Sequence, residues 1–270
     1  MAPTRAGPME YRLTGRGPVV LVLKGGHSSR DTRLGHERLT AYGFAVLEPS
    51  RPGYDGSPAS LGRSASDAAN ALAALLDTLA IERADVVAIS AAGHTAIELA
   101  RRHPQRVRRV SFESARSLPW NATTRRMGRL VFGRMQAPVW VTVRAALRLA
   151  PGETLRVLLS ELTTLDPGQV VHEMDAATRA EYVAAFRSLW SREGFICDLD
   201  HTSEGSMQLT QPVLILHGRH DRAIPPHHVE RLVALCPTNR RIELDADTHF
   251  IWFGRTRVEV WEKRLAFLRS

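Results

Sequence analysis

Lysine is almost missing from this 270-residue chain: of 36 basic residues only Lys24 and Lys263 are lysines. Cysteine is scarce too. Cys197 and Cys236 sit in unrelated contexts, which argues against a disulfide framework or a cysteine-based metal site, so both read as free thiols. No run approaches the roughly 18 apolar residues that span a bilayer, so no membrane segment is expected. The N-terminus, Met-Ala-Pro-Thr-Arg-Ala-Gly-Pro, carries a charge but no apolar stretch behind it, so no secretory signal is read and a cytoplasmic location is expected. The net charge of +8 raises the question of an acidic partner. Its arginines are spread over the early loops, the middle segment and the C-terminal helix, with no aromatic-interleaved basic stripe, and nucleic acid is not expected as a partner. A small-molecule substrate and a monomeric or homodimeric state are.

What the chain does have is alternation. Residues 9–13 and 19–24 read as strands around a Gly-Arg-Gly-Pro turn, the second a buried apolar run of the parallel-sheet kind. A helix over 31–42 and a strand over 44–47 complete a β-α-β unit. Ser64 or Ser66 caps a helix reaching about Leu79, with Ala68, Leu72, Leu75 and Leu76 on its apolar side. Strands over 85–89 and 107–112 flank another helix, which gives a doubly wound, mostly parallel α/β sheet. From about 117 to 207 the period turns helical, over 125–149 with a break at Pro138, over 154–162 and over 176–190. These roughly 90 residues exceed what a single crossover requires. Alternation resumes with a strand over 212–217, a helix over 226–235, a strand over 241–244 and a closing helix over 257–268. The expected organisation is a core of residues 1–116 and 208–270 with a helical insertion, 117–207, before the last two strands.

The chemistry centres on Ala88-Ile-Ser-Ala-Ala92. An apolar strand that breaks at Ser90 and leaves as a helix forces that serine onto a sharp turn, the form of a nucleophile elbow with Ala88 and Ala92 as its small residues. A structural turn with close helix packing has the same composition. A serine needs a base, and the base needs a group to hold its tautomer. His249 follows the last strand; Asp221 follows the strand before it, with Asp245 and Asp247 as rival acids nearer in sequence. The order is Ser, Asp, His, each after a strand, on the side of an open sheet where ligands bind. His217, His220, His227 and His228 surround Asp221 without a recognisable ligand spacing, so no metal is expected.

Together these segments resemble the α/β-hydrolase family, in particular its smaller cap-bearing members, over nearly the whole chain. Lys24-Gly-Gly is similar to the family's oxyanion loop and Arg51-Pro-Gly-Tyr-Asp-Gly-Ser57 to its Gly-rich loop. Ala88-Ile-Ser-Ala-Ala-Gly93 is similar to its elbow, and residues 212–221 and 248–249 to its acid and histidine segments. The resemblance implies Ser90 as nucleophile, His249 as general base and then acid, and Asp221 as orienting carboxylate, with no cofactor. It implies an oxyanion hole built from the backbone N–H groups of Ala91 and Gly26, with His27 a second candidate for the loop donor. It also implies a serine hydrolase acting through an acyl-enzyme on a small ester, lactone or thioester. A cofactor-free non-hydrolytic reaction and a non-catalytic binding protein are the alternatives on the same scaffold.

The chain departs from the family pattern in two places. Alanines replace the usual elbow glycines, and Lys24 stands where the oxyanion loop usually carries histidine. Lys24 either binds a substrate carboxylate or pairs with a nearby acid. Trp140, Phe186 and Trp190 of the insertion, with Lys24 and His27, are the candidate pocket residues.

Overall fold

The computed structural model describes every residue except Arg134, Glu204 and Ser206. It opens with an antiparallel ribbon, β1 (Ala2–Thr4) against β2 (Gly7–Met9), which the sequence did not announce. β3 (Tyr11–Thr14) then pairs antiparallel at the edge of a seven-stranded sheet. The other six strands are parallel: β4 (Val19–Leu23), β5 (Ala45–Pro49), β6 (Ala84–Ile89), β7 (Val107–Glu113), β8 (Val213–Gly218) and β9 (Asn239–Leu244). The spatial order is β3-β5-β4-β6-β7-β8-β9. β4 therefore has β5 on one side and β6 on the other, and the winding reverses between β4 and β6. In an open α/β sheet, that reversal leaves a crevice at the carboxyl ends of the two strands, where ligands bind. Leu23 pairs with Ala88 at that edge, so the loops beginning at Lys24 and Ser90 leave side by side.

β4, β6 and β8 are apolar along most of their length because both faces are covered, while β7 carries Arg108, Arg109, Ser111 and Glu113 between its apolar residues. On one face Leu21, Leu23, Val86, Ala88, Val110 and Phe112 pack under α1 (Ala65–Thr78), α2 (Gly93–Arg102) and α9 (Pro226–Leu235). On the other, Val20, Val22, Val87, Ile89, Leu214 and Leu216 meet α10 (Arg257–Arg269) and residues of the inserted helices. Of the two candidate caps of α1, Ser64 is used: its hydroxyl accepts from Asp67 N at 3.1 Å and Asp67 returns the bond to Ser64 N.

Between β7 and β8 the chain forms α3 (Ala122–Phe132), α4 (Gln136–Leu149), α5 (Pro151–Leu159), α6 (Pro167–Glu173), α7 (Ala176–Ser188) and α8 (Gly194–Asp200). The break expected at Pro138 falls instead around Gly133. Pro138 lies in the first turn of α4, where its missing N–H costs no helical bond. Part of the helix expected over 125–149, Arg134, lies outside the described residues.

The helix expected over 31–42 shrinks to a 3₁₀ segment, His36–Tyr42. Its first turn cannot form because the carbonyl of Arg30 is taken by the guanidinium of Arg12 at 2.8 Å and by the ammonium of Lys24. Gly35, at φ 87, then turns the chain left-handed.

Candidate active site

Ser90 closes β6 and opens a 3₁₀ turn, Ser90–Ala92, that runs into α2. Its φ is +50, a left-handed conformation that costs a serine about 1–3 kcal/mol and persists only where the surroundings impose it. They do so here. Ser90 O accepts from Arg116 N at 2.9 Å, and a Cβ on Gly93 would lie 2.0 Å from Arg116 O, so the start of α2 is pressed against the segment after β7. Ala88 and Ala92 are fully buried, but the closest approaches of the elbow are made at Gly93 and at Gly25.

Gly25 brings the second loop to the serine. A Cβ there would stand 2.8 Å from Ser90 Cβ and 3.5 Å from Ser90 Oγ. One on Gly26 would stand 3.5 Å from Ala91 Cβ, so the two expected oxyanion donors are neighbours across the crevice. His27 follows at φ 60, its N–H turned toward the Tyr54 oxygen and its carbonyl accepting from Trp190 N at 2.7 Å. Its imidazole packs on Phe195, Phe132 and Trp140 at centroid distances of 3.8, 4.2 and 5.2 Å, with Nδ1 3.1 Å from Ser191 Oγ. Burial among these rings pushes its pKa down to about 3, which leaves it neutral.

The acid and the histidine meet. Asp221, in the loop after β8, accepts from Ile224 N at 2.9 Å through Oδ1 and faces His249 Nδ1 at 2.8 Å through Oδ2. Both residues are buried, at 3% and 6% exposure, so the pair is shielded from water. The inserted segment braces it: Leu162 O accepts from His249 N at 2.8 Å, Thr163 bridges to Asp221, and Tyr182 Oη lies 2.6 Å from Thr248 Oγ1. The rival acids point elsewhere, Asp245 to Arg219 and Arg255, and Asp247 to Arg255. Two of the surrounding histidines are engaged by other groups. His220 meets Thr164, while His228 accepts from the Ser117 and Leu118 amides, burial and Arg116 pushing its pKa down to about 3. Among the described residues no group of three His, Cys, Asp or Glu is arranged to hold a metal.

Lys24 does not line the crevice. Its ammonium lies 2.8 Å from Glu48 Oε1 and also donates to Arg30 O, and Arg12 shares the same carboxylate at 2.8 Å. Burial lowers the Lys24 pKa against the pull of Glu48. Burial also works against the Glu48 carboxylate, but Lys24 and Arg12 outweigh it and hold that group low. The substrate-carboxylate role is therefore corrected: the partner is an acid on the neighbouring strand. Trp190 meets the loop through its backbone N–H, and its ring lies 5.4 Å from the guanidinium of Arg144. Trp140 abuts His27, and its buried Nε1 has no partner. Phe186 is one ring removed from His249, through Phe250 at 5.5 Å.

Sequence reading missed several contributors. Phe132 and Phe195 pack against His27 of the loop after β4, and Phe195 lies in a seven-residue helix too short to show a period. Phe250, next to His249, was readable from adjacency alone. Glu113, fully buried at the end of β7, accepts from Arg264 at 2.6 and 2.7 Å, from Trp252 Nε1 at 2.5 Å and from His36 at 3.0 Å. Burial opposes its ionisation, but Arg264 and His36 hold the carboxyl well below the usual range. The anchored Trp252 ring sits 6.3 Å from that of His249.

Residues 18–255 match the model of the alpha/beta hydrolase fold family. The chain belongs to that family. A relative at 31% identity is the uncharacterized hydrolase YcgS of Bacillus subtilis strain 168, aligned over 98% of this chain and 96% of its own length. Among solved structures, an alpha/beta hydrolase fold protein from Nakamurella multipartita superposes with a TM-score of 0.82 at 24% identity, covering 99% of this chain and 97% of that one. The enol-lactonase from Burkholderia xenovorans LB400 gives 0.72 at 21% identity, covering 100% and 99%. These structures share the α/β-hydrolase fold with this chain, a mostly parallel sheet of seven strands with helices on both faces. Among the described residues no helix is long and apolar enough to cross a membrane.

Proposed function

We propose that the chain is a serine hydrolase that works through an acyl-enzyme on a small carboxylic ester, lactone or thioester. The observation that carries the reading is the buried 2.8 Å contact between His249 Nδ1 and Asp221 Oδ2, on the same sheet edge as a strained Ser90. The carboxylate keeps the proton on Nδ1 and leaves the Nε2 lone pair to take the Ser90 hydroxyl proton. Oγ attacks the carbonyl carbon, and the electron pair shifts to the carbonyl oxygen, which meets the N–H groups of Gly26 and Ala91. Each such donor contributes about 3–4 kcal/mol to the transition state. Collapse expels the leaving group, protonated by His249, and water repeats the sequence on the acyl-enzyme. Residues 117–207 act as the cap, with Trp140 and Phe186 joining Phe132, Phe195 and Phe250 in an apolar wall. The enol-lactonase among the structural neighbours fits a lactone as one candidate substrate.

The test is fluorophosphonate labelling of wild type and Ser90→Ala, followed by p-nitrophenyl esters of graded length beside a lactone and a thioester. Wild type is expected to be labelled at Ser90 and to turn over at least one of these classes. Activity surviving in Ser90→Ala would overturn the mechanism.

A further inference from the structure

The geometry points to Arg51 as the positioning residue of the oxyanion hole, fixed in turn by Asp198 of α8, so that Gly26 is aimed only while the inserted helices are docked. This rests on the acyl-enzyme reading above. Arg51 follows β5, the strand beside β4, and is 3% exposed. Its Nε donates to Lys24 O at 2.7 Å and its Nη2 to Gly25 O at 3.1 Å. In a trans peptide the carbonyl and the following N–H point in opposite directions. Holding Gly25 O on the guanidinium therefore turns the Gly26 N–H away from Arg51. The residues that crowd the two glycines from elsewhere include Ser90 and Ala91. Two successive glycines have little conformational preference of their own, and the remaining hold on Gly25 O, from Ser28 N, is a longer 3.3 Å.

What fixes Arg51 comes from the insertion. Asp198 accepts from Nη1 at 2.5 Å and from Nη2 at 2.8 Å, a bidentate pairing, and from Tyr54 Oη at 2.6 Å. The guanidinium also lies over the Tyr54 ring at 4.6 Å. Helix α8 is seated on the same loop: Gly194 N donates to Gly53 O at 3.0 Å, and a Cβ on Gly194 would fall 2.1 Å from the Tyr54 ring. Its Phe195 also presses on Gly26 and His27. One short helix thus supplies both the carboxylate that sets the clamp and the ring that closes on the loop.

Arg51→Lys keeps the charge but loses the fork that spans two carbonyls. Its kcat is expected to fall about 10- to 100-fold, below the full loss of an oxyanion donor, with KM within about threefold of wild type. Affinity for a trifluoromethyl ketone analogue, whose tetrahedral adduct places an oxyanion in the hole, should fall in parallel, while affinity for the acid product stays unchanged. Asp198→Asn should move the same quantities in the same direction. Arg51→Met with Asp198→Leu removes both buried charges together, leaves neither unpaired, and is expected to fold with the same loss of kcat. Tyr54→Phe, the mildest change, should give a smaller fall of the same kind. Unchanged kcat and analogue affinity in folded variants, or a loss confined to KM, overturns the clamp. Wild type that resists fluorophosphonate refutes the acyl-enzyme reading itself, so the two failures are distinguishable.

Discussion

Asp221→Asn separates tautomer control from shape. The asparagine fills the same volume, and its Oδ1 can still accept from Ile224 N, as Asp221 does at 2.9 Å. Its amide then donates to His249 Nδ1, which forces the imidazole proton onto Nε2, the nitrogen that accepts from Ser90 in the proposed mechanism. A base that carries its proton on the wrong nitrogen is worth about 10⁴ in kcat where this has been measured in other triads, or about 5.5 kcal/mol of barrier. The folding cost is much smaller. Trading a charge-assisted hydrogen bond for a neutral one removes about 1–2 kcal/mol, which for 270 residues lowers Tm by about 2–4 °C. The assay is kcat on the best ester from the panel beside a thermal melt, with Asp245→Asn and Asp247→Asn as companions. Both companions bind arginines and should retain activity within about threefold. An Asp221→Asn enzyme of full activity, or an equal loss in Asp247→Asn, refutes the assignment.

Arg264→Met should strip Glu113 of both bonds from the Arg264 guanidinium and leave a carboxylate buried with His36, Trp252 and Ser111 around it. Breaking one side of such a pair costs about 3–5 kcal/mol, which a melt at neutral pH should record as a drop of about 5–9 °C. The same group gives a pH signature. Because the folded Glu113 is held below its unfolded value of about 4.3, its contribution is fully present above that pH and drains away as pH falls below it. Urea unfolding at pH 7 and pH 4 should show a larger acid-side loss in wild type than in Arg264→Met; parallel losses contradict the pairing. Gly93→Ala should cost about 3 kcal/mol and lower kcat together, since its Cβ would lie 2.0 Å from Arg116 O and the elbow must shift; a variant with unchanged melt and turnover rules this out.

The sheet was legible wherever burial on both faces makes the strand sequence a run of apolar residues, as in Val19–Leu23 and residues 213–216, and α9 begins and ends at the residues expected from its proline and its period. The first ribbon was not, because three-residue strands carry no alternation to read. Helices α6 and α8 escaped for the same reason, being only seven residues each. The segment before His36 failed differently: Asp31 to Gly35 has helical composition, but Arg12 of β3 and Lys24, just past β4, capture the carbonyl its first turn needs. At the site, Ser90, Asp221 and His249 could be placed because each follows a strand. What Lys24 touches could not be placed. Glu48 is next to it only through the order β5-β4 in space, and strand order is a property of the assembled sheet.

The bond from His249 N to Leu162 O, with Thr163 bridged to Asp221, has a consequence for anyone grafting a new cap onto this scaffold. Residues near 160–164 and 189–198 support His249 and the loop after β4, whatever they do for recognition. Under the proposed function, transplanting the whole of 117–207 from a relative would exchange substrate preference and catalytic alignment in one step, and a dead chimera would say nothing about specificity. The outward stripes of α3 and α4, where Met127, Leu130 and Val141 are exposed, are the parts that recombination can swap while those seams stay native.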